Sequence, residues 1–234
     1  MRRGIILAGG SGTRLSPLTD VVSKQLLPVY DKPMIFHTVE RFKSIGVTDI
    51  LCIVAPRDYE IFKRVLGNSI NIEIQKEPRG IAEAIYIANC NDPILLWLGD
   101  NLIVGNEVDS FIKKADLNHD GATIFLHKNK NASNYGVAEI KYGKIISIEE
   151  KPKIPKSNNI ITGIYFYDKT AFDRVKGLKP SNRGELEITD LNKSYLKEDK
   201  LFYSNFGKKS QWFDMGNFDD LLRASIAIKN YNKK

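Results

Sequence analysis

Through the first half of the chain, short apolar runs alternate with segments whose apolar residues recur every three or four positions. Residues 3–8 hold Ile5, Ile6, Leu7 and Ala8 and stop at Gly9-Gly10, which reads as a buried strand. In 34–45 the apolar residues Ile35, Phe36, Val39, Phe42 and Ile45 share one helical face, and Gly46 ends the pattern. The alternation continues with a strand over 50–55, a helix over 59–66 stopped by Gly67, a strand over 70–75, a helix over 81–89 and a strand over 94–98. This β-α-β-α order predicts a mostly parallel sheet with helices on both faces.

After about residue 120 the rhythm changes. Strands are expected over 122–127, 137–140, 144–148 and 160–167, joined by polar turns such as Tyr142-Gly143, and helices over 186–196 and 218–231. No internal repeat, low-complexity stretch or linker divides the chain. The expectation is one α/β domain over 1–234, Rossmann-like, with added strands in its second half. Ligands of such sheets sit at the carboxyl ends of the strands, and the polar motifs here follow strands.

Composition changes this picture little: 42% apolar and 27% charged residues suit an ordinary soluble globular chain. The net charge of +7 suits anionic ligands, but its Lys residues are scattered, so neither nucleic acid nor membrane is an expected partner. Met1-Arg2-Arg3 precedes an apolar run too short for a signal peptide, and no run spans a bilayer, so a cytoplasmic protein is expected. Cys52 and Cys90 form neither a CxxC pair nor a zinc spacing and read as small buried hydrophobes in a reducing compartment.

The chemistry begins at Gly9-Gly10-Ser11-Gly12-Thr13-Arg14, directly after the first strand. Glycines there let backbone N–H groups approach an anion, and Arg14 adds a guanidinium fork for phosphate oxygens. The dinucleotide fingerprint fails because Leu15 stands at its last glycine, which argues against a dehydrogenase, and the Lys-Ser/Thr pair of the Walker loop is absent. With Lys24 ten residues on, a phosphate cradle is expected. Asp100 ends the apolar strand 94–98 after Gly99, and Asp214 lies between Trp212-Phe213 and Gly216, each at an apolar-to-polar edge. Two such carboxylates with triphosphate oxygens would suit Mg²⁺.

The run from Gly4 through Leu15, then Pro17-Leu18-Thr19 and the segment from Ser23 to Pro28, resembles the signature of nucleotidylyltransferases acting on sugar 1-phosphates. The glucose-1-phosphate thymidylyltransferase group is most similar. The likeness continues in order through Leu98-Gly99-Asp100-Asn101, Glu149-Glu150-Lys151-Pro152, the motif beginning Thr162-Gly163, the motif beginning Arg183-Gly184-Glu185, and Trp212-Phe213-Asp214-Met215-Gly216. It implies a glycosyltransferase-A-like sheet with a nucleotide-binding half to about residue 120 and a sugar-phosphate half beyond it.

The resemblance further implies Arg14, Lys24, Asp100 and Lys151 as catalytic residues, with Asp100 and Asp214 as ligands of a Mg²⁺ cofactor. Nucleotide binding falls to Leu7, Gly9, Gly10, Gly12, Thr13, Arg14, Gln75, Gly80 and Asp100. Sugar-phosphate binding falls to Tyr135, Gly136, Glu150, Lys151, Thr162 and Arg183, with Glu185 at a position that helps order the pocket. The substrates implied are dTTP, or UTP, and glucose 1-phosphate, with pyrophosphate as product. A homo-oligomer is possible by resemblance to the family's tetramer, with a dimer or a monomer as plausible for this shorter chain. Longer relatives carry a C-terminal helical extension with a feedback site, so feedback in this chain is expected to be absent or built differently.

Gln75 and Gly80 keep the spacing of the family's base-reading segment, and an amide is complementary to the O4/N3 edge of thymine or uracil. That amide can rotate, and Arg79 replaces the usual acidic residue before Gly80, so UTP- or CTP-dependent transfer remains an alternative here. A silent nucleotide-binding regulator would be expected to lack Arg14, Lys24 or Asp100. A sugar phosphate is already dianionic near neutrality, its second pKa being about 6, so no general base is required. His37, His119 and His127 accordingly read as structural or exposed.

Overall fold

The computed structural model describes residues 2–116, 120–207 and 209–233. His119 lies outside the described residues. The first half runs β1 (Arg3–Ala8), α1 (Leu18–Val21), the hairpin β2 (Pro28–Val29) and β3 (Lys32–Pro33), α2 (Met34–Ser44), β4 (Ile50–Val54), α3 (Tyr59–Leu66), β5 (Asn71–Ile74), α4 (Glu83–Ala88) and β6 (Ile94–Leu98). Then come β7 (Asn101–Val104), α5 (Val108–Asp116), β8 (Ala122–Lys128), β9 (Gly136–Lys141), β10 (Lys144–Glu150) and β11 (Asn159–Tyr167). The chain closes with α6 (Ala171–Lys176), α7 (Ile188–Leu196), β12 (Leu201–Asn205), β13 (Gln211–Asp214) and α8 (Phe218–Tyr231).

The main sheet has the order β10-β9-β11-β6-β1-β4-β5, with β8 pairing β11 and β12. The first-half strands β5, β4, β1 and β6 are parallel, as the alternation with helices requires, while β11 joins antiparallel to β6, β8 and β9. Successive residues of β1 serve opposite faces: Ile5 packs in the layer holding Ala84, Ile85, Val175 and Leu191, and Ile6 in the layer holding Ile35, Val39, Phe42 and Phe62. A third cluster, Val29, Met34, Leu102, Phe213, Met215, Ala224 and Ile228, fastens α8 over the small sheet of β7 and β13.

The strands and helices read from the sequence appear within a few residues of their expected bounds. The helix expected over 186–196 begins at Ile188 instead, because the backbone of Leu186 pairs with Arg79 and Ala82 and is unavailable to a helix. Cys52 is fully buried and its thiol pKa is pushed up by that burial, whereas Cys90 is only half-buried, just beyond the end of α4. Among the described residues no helix is long and apolar enough to cross a membrane.

Candidate active site

A break in strand pairing makes the site. Along one edge of β11, Ile160 pairs with Val137 of β9, while Ile164–Tyr167 pair with β6, so these two strands lie end to end with a gap between them. At the gap the N–H of Gly163 donates to Asn101 Oδ1 at 3.1 Å instead of to a strand. A cleft of about 1430 Å³ opens there, lined by Arg14, Leu98 and Asp100 on one side and by Tyr135, Gly136, Glu150, Lys151, Ile161 and Arg183 on the other.

The two carboxylates, distant in sequence, are neighbours in space. Asp100 lies in the turn from β6 to β7, and β13 pairs antiparallel with β7 so that Asp214 stands opposite Asn101. The Met215 N–H donates to the Asp100 carbonyl at 2.9 Å, closing the arrangement. Burial pushes the Asp100 carboxyl pKa up, but its ion pair with Lys24 and a hydrogen bond from Asn101 outweigh that and hold it below the usual carboxylate range. Asp214 is pushed the other way, up to about 6, by burial and by the Asp100 charge. Arg14 stands beside it: a Cβ on Gly216 would lie 2.7 Å from the Arg14 guanidinium. The Tyr135 hydroxyl, its pKa raised to about 12 by burial and by Asp214, remains protonated and donates to that carboxylate.

Asn101 ties these groups together. Its Nδ2 donates to Asp100 Oδ1 at 3.0 Å, and its Oδ1 accepts from Gly163 N and from Trp212 Nε1 at 2.8 Å. Its carbonyl accepts from Trp97 Nε1 at 2.8 Å. One buried side chain therefore fixes the first carboxylate, the strand that carries the second, and the lip of β11.

The glycine loop leaves β1 beside these groups. Gly12 has φ 68°, which only glycine adopts freely, and Thr19 Oγ1 donates to its carbonyl at 2.9 Å, turning the chain into the short helical turn Thr13–Leu15. The loop contributes Arg14 to the cleft, while Gly10 and Ser11 are exposed. The Leu7 carbonyl, from the end of β1, accepts from Gly99 N at 2.9 Å. Gln75 approaches the loop so closely that a Cβ on Gly9 would meet its Oε1 at 2.9 Å. Gly80, at φ 98°, lies against the Leu186 backbone with no room for a side chain, which joins the Gln75 segment to the segment carrying Arg183. Gln75 Nε2 donates to Glu83 Oε2 at 2.8 Å, and Arg79 pairs with Glu83 at 3.7 Å.

Across the cleft, Thr189 Oγ1 donates to Glu150 Oε2 at 2.6 Å, and a Cβ on Gly136 would lie 3.3 Å from the same oxygen. Lys151 adopts φ 42°, donates its N–H to the Tyr135 carbonyl at 3.1 Å and leaves its ammonium exposed. Arg183 forks onto Glu187 at 2.9 Å and faces Glu185 at 3.7 Å, ahead of α7 rather than at its first turn. Thr162 is not among the described residues that line the cleft. It is fully buried and its hydroxyl donates to the Phe125 carbonyl at 2.9 Å, because Ile161 and Gly163, its neighbours on β11, take the cleft-facing positions. His127 lines the cleft with its ring packed against Trp212, and burial lowers its pKa. His37 is half-buried with Nε2 at 3.0 Å from the Val29 carbonyl.

The family model described as nucleotidyl transferase matches residues 3–231, nearly the whole chain. The chain belongs to the nucleotidyl transferase family. Within it, the chain is 46% identical to a glucose-1-phosphate thymidylyltransferase of Neisseria meningitidis, over 97% of this chain and 82% of that one. A Mycolicibacterium smegmatis protein of the same name is 44% identical over the same shares. Among solved structures, a Bacillus anthracis protein assigned as a glucose-1-phosphate thymidylyltransferase, solved with sucrose, superposes with a TM-score of 0.86 at 40% identity, covering 97% of this chain and 94% of its own. A UDP-glucose pyrophosphorylase with UDP-glucose, 23% identical and matched over both whole chains, shares the fold with a TM-score of 0.84. This nucleotidyl transferase therefore has the expected fold class and is an enzyme of the expected kind. Sequence reasoning gave no role to Asn101, Trp212 or Glu83. Asn101 had a signal in its place beside Asp100 in a recognised motif, but its partners lie on β11 and β13, which no local pattern links.

Proposed function

We infer that this chain transfers the thymidylyl group of dTTP to glucose 1-phosphate, forming dTDP-glucose and releasing pyrophosphate. The observation that carries the reading is the convergence of Arg14, Lys24, Asp100 and Asp214 on one side of a single cleft with Glu150, Lys151 and Arg183 on the other. Relatives named for this reaction, at 40–46% identity, support the choice of substrates. In this reading one domain works in two halves: residues to about 120 bind the nucleotide, and the rest bind the sugar phosphate.

The phosphate of the sugar is the nucleophile and carries its charge already, so the protein has no proton to remove. Its task is to bring two polyanions together, where each unit repulsion at 4 Å costs roughly 4 kcal/mol in an effective dielectric of about 20. Arg14 and the glycine-loop N–H groups hold the triphosphate, while Lys151 and Arg183 hold the phosphate of the sugar. Glu150, steadied by Thr189, accepts from sugar hydroxyls. So aligned, the sugar phosphate attacks the α-phosphorus in line and pyrophosphate leaves.

Asp100 and Asp214 would hold Mg²⁺. Two neighbouring half-buried carboxylates, one raised to about 6 by burial and by the charge of the other, form a hard-oxygen donor pair, which fits that ion. Among the described residues no group of three or more His, Cys, Asp or Glu gathers, so phosphate oxygens and water would complete the shell. When bound, the ion supplies charge against the phosphate oxygens. The test is pyrophosphate release from dTTP. It is expected only when glucose 1-phosphate and Mg²⁺ are both present, in equal amount to the dTDP-glucose formed. Release of inorganic phosphate, or no release, contradicts the reading.

A further inference from the structure

The amide of Gln75 is locked in one orientation. Its Nε2 donates to Glu83 Oε2 at 2.8 Å and to the Gly80 carbonyl at 3.2 Å. Both partners are acceptors only, so a flipped amide would set its own carbonyl against a carboxylate and a carbonyl. Its Oε1 is left turned toward the glycine loop, where a Cβ on Gly9 would meet it at 2.9 Å, and no hydrogen bond among the described residues uses it. Glu83 is itself held. It opens α4, its side chain is only 13% exposed, and Arg79 lies 3.7 Å from its other oxygen.

We propose that Glu83, backed by Arg79, is a positioning residue that fixes Gln75 with its carbonyl oxygen toward the bound base, so that the enzyme selects pyrimidines carrying an N3–H over cytosine. This rests on the thymidylyl-transfer reading above, with Gln75 at the base. A fixed acceptor matches the N3–H of thymine or uracil. The N3 of cytosine is itself an acceptor, and the two lone pairs would face each other without a proton between them. Thymine and uracil share the N3–H, so this device does not choose between them. Arg79 acts through Glu83, 3.7 Å away, and not in contact with the base.

The experiment measures kcat/KM for dTTP and dCTP, at saturating glucose 1-phosphate, in the unmodified enzyme, Glu83→Gln, Gln75→Ala and the double variant. Glutamine at 83 keeps the shape of glutamate but can donate as well as accept, which removes the charged constraint against a flipped Gln75 and leaves only the longer contact with the Gly80 carbonyl at 3.2 Å. The dTTP-over-dCTP preference is expected to fall about tenfold in E83Q, through KM for the triphosphate, while KM for glucose 1-phosphate stays in place. In the Gln75→Ala background E83Q is expected to add nothing. Arg79→Ala, at the exposed end of the relay, is expected to shift the preference in the same direction by about twofold. An unchanged preference in E83Q with turnover intact overturns the proposal alone, as does an equal loss in the Gln75→Ala background. Failure of the unmodified enzyme to use dTTP overturns the thymidylyl reading and this proposal with it.

Discussion

At the scale of single residues, the site is built against stability. Asp214 is held at about 6 by burial and by Asp100, so its ionisation in the folded chain is unfavourable. A carboxyl whose folded pKa lies above its unfolded value contributes stability that is complete below the unfolded value and is lost as pH rises through about 6. Asp214→Asn is therefore expected to raise Tm by several degrees at pH 7.5 in metal-free buffer, to show no gain near pH 4, and to abolish turnover; thermal melts across pH check this. Asn101→Ala removes the acceptor of Gly163 N–H and Trp212 Nε1–H together. Leaving both unpaired costs about 3 kcal/mol, so Tm should drop by roughly 6–12 °C, and kcat should fall with it. A variant with unchanged Tm and kcat would remove Asn101 from the account. The residues legible beforehand were those with chemistry of their own in ordered motifs, such as Arg14, Lys24 and Asp100. The motif that holds Thr162 says nothing of which face of β11 its hydroxyl takes. That is decided by the Phe125 carbonyl on β8.

At the scale of elements, what the sequence disclosed depended on how local the cause was. The strands β1, β4 and β6 and the helices α2, α3 and α8 carry their own periodicity and glycine stops, and were readable to within a residue or so. The four-residue strands β7 and β13, which set Asp100 beside Asp214, exist through pairing with each other over a long separation in sequence. Nothing local announces such short strands. The helices α5 and α6 and the strand β12 also went unread. One tie between elements is open to test: Arg41 of α2 forms an ion pair with Asp109 of α5. Burial works against the Asp109 carboxylate, but Ser44 and Arg41 prevail and hold its pKa below the usual range. The stability it gives is present above the unfolded carboxyl value near 4 and is lost as pH falls through the lower folded value. Asp109→Asn is expected to cost about 1 kcal/mol at pH 7 and less near pH 3, where part of that stability is already lost. Equal losses at both pH values would contradict this.

At the scale of the whole molecule, the candidate site lies where one sheet fails to pair continuously. The end-to-end placement of β6 and β9 along β11 leaves a cleft with the glycine loop and two carboxylates on one side and Glu150, Lys151 and Arg183 on the other. The parallel half of that sheet was legible from the alternation of strands and helices, whereas the break was not, because it arises from how β11 divides its partners. The central claim is that this cleft joins dTTP to a glucose phosphate. The most direct measurement is pyrophosphate release across a matrix of dTTP, UTP and CTP against several sugar 1-phosphates with Mg²⁺. The account predicts the highest kcat/KM for dTTP with glucose 1-phosphate and weak use of CTP. A clear preference for CTP, or no pyrophosphate from any pair, would contradict it.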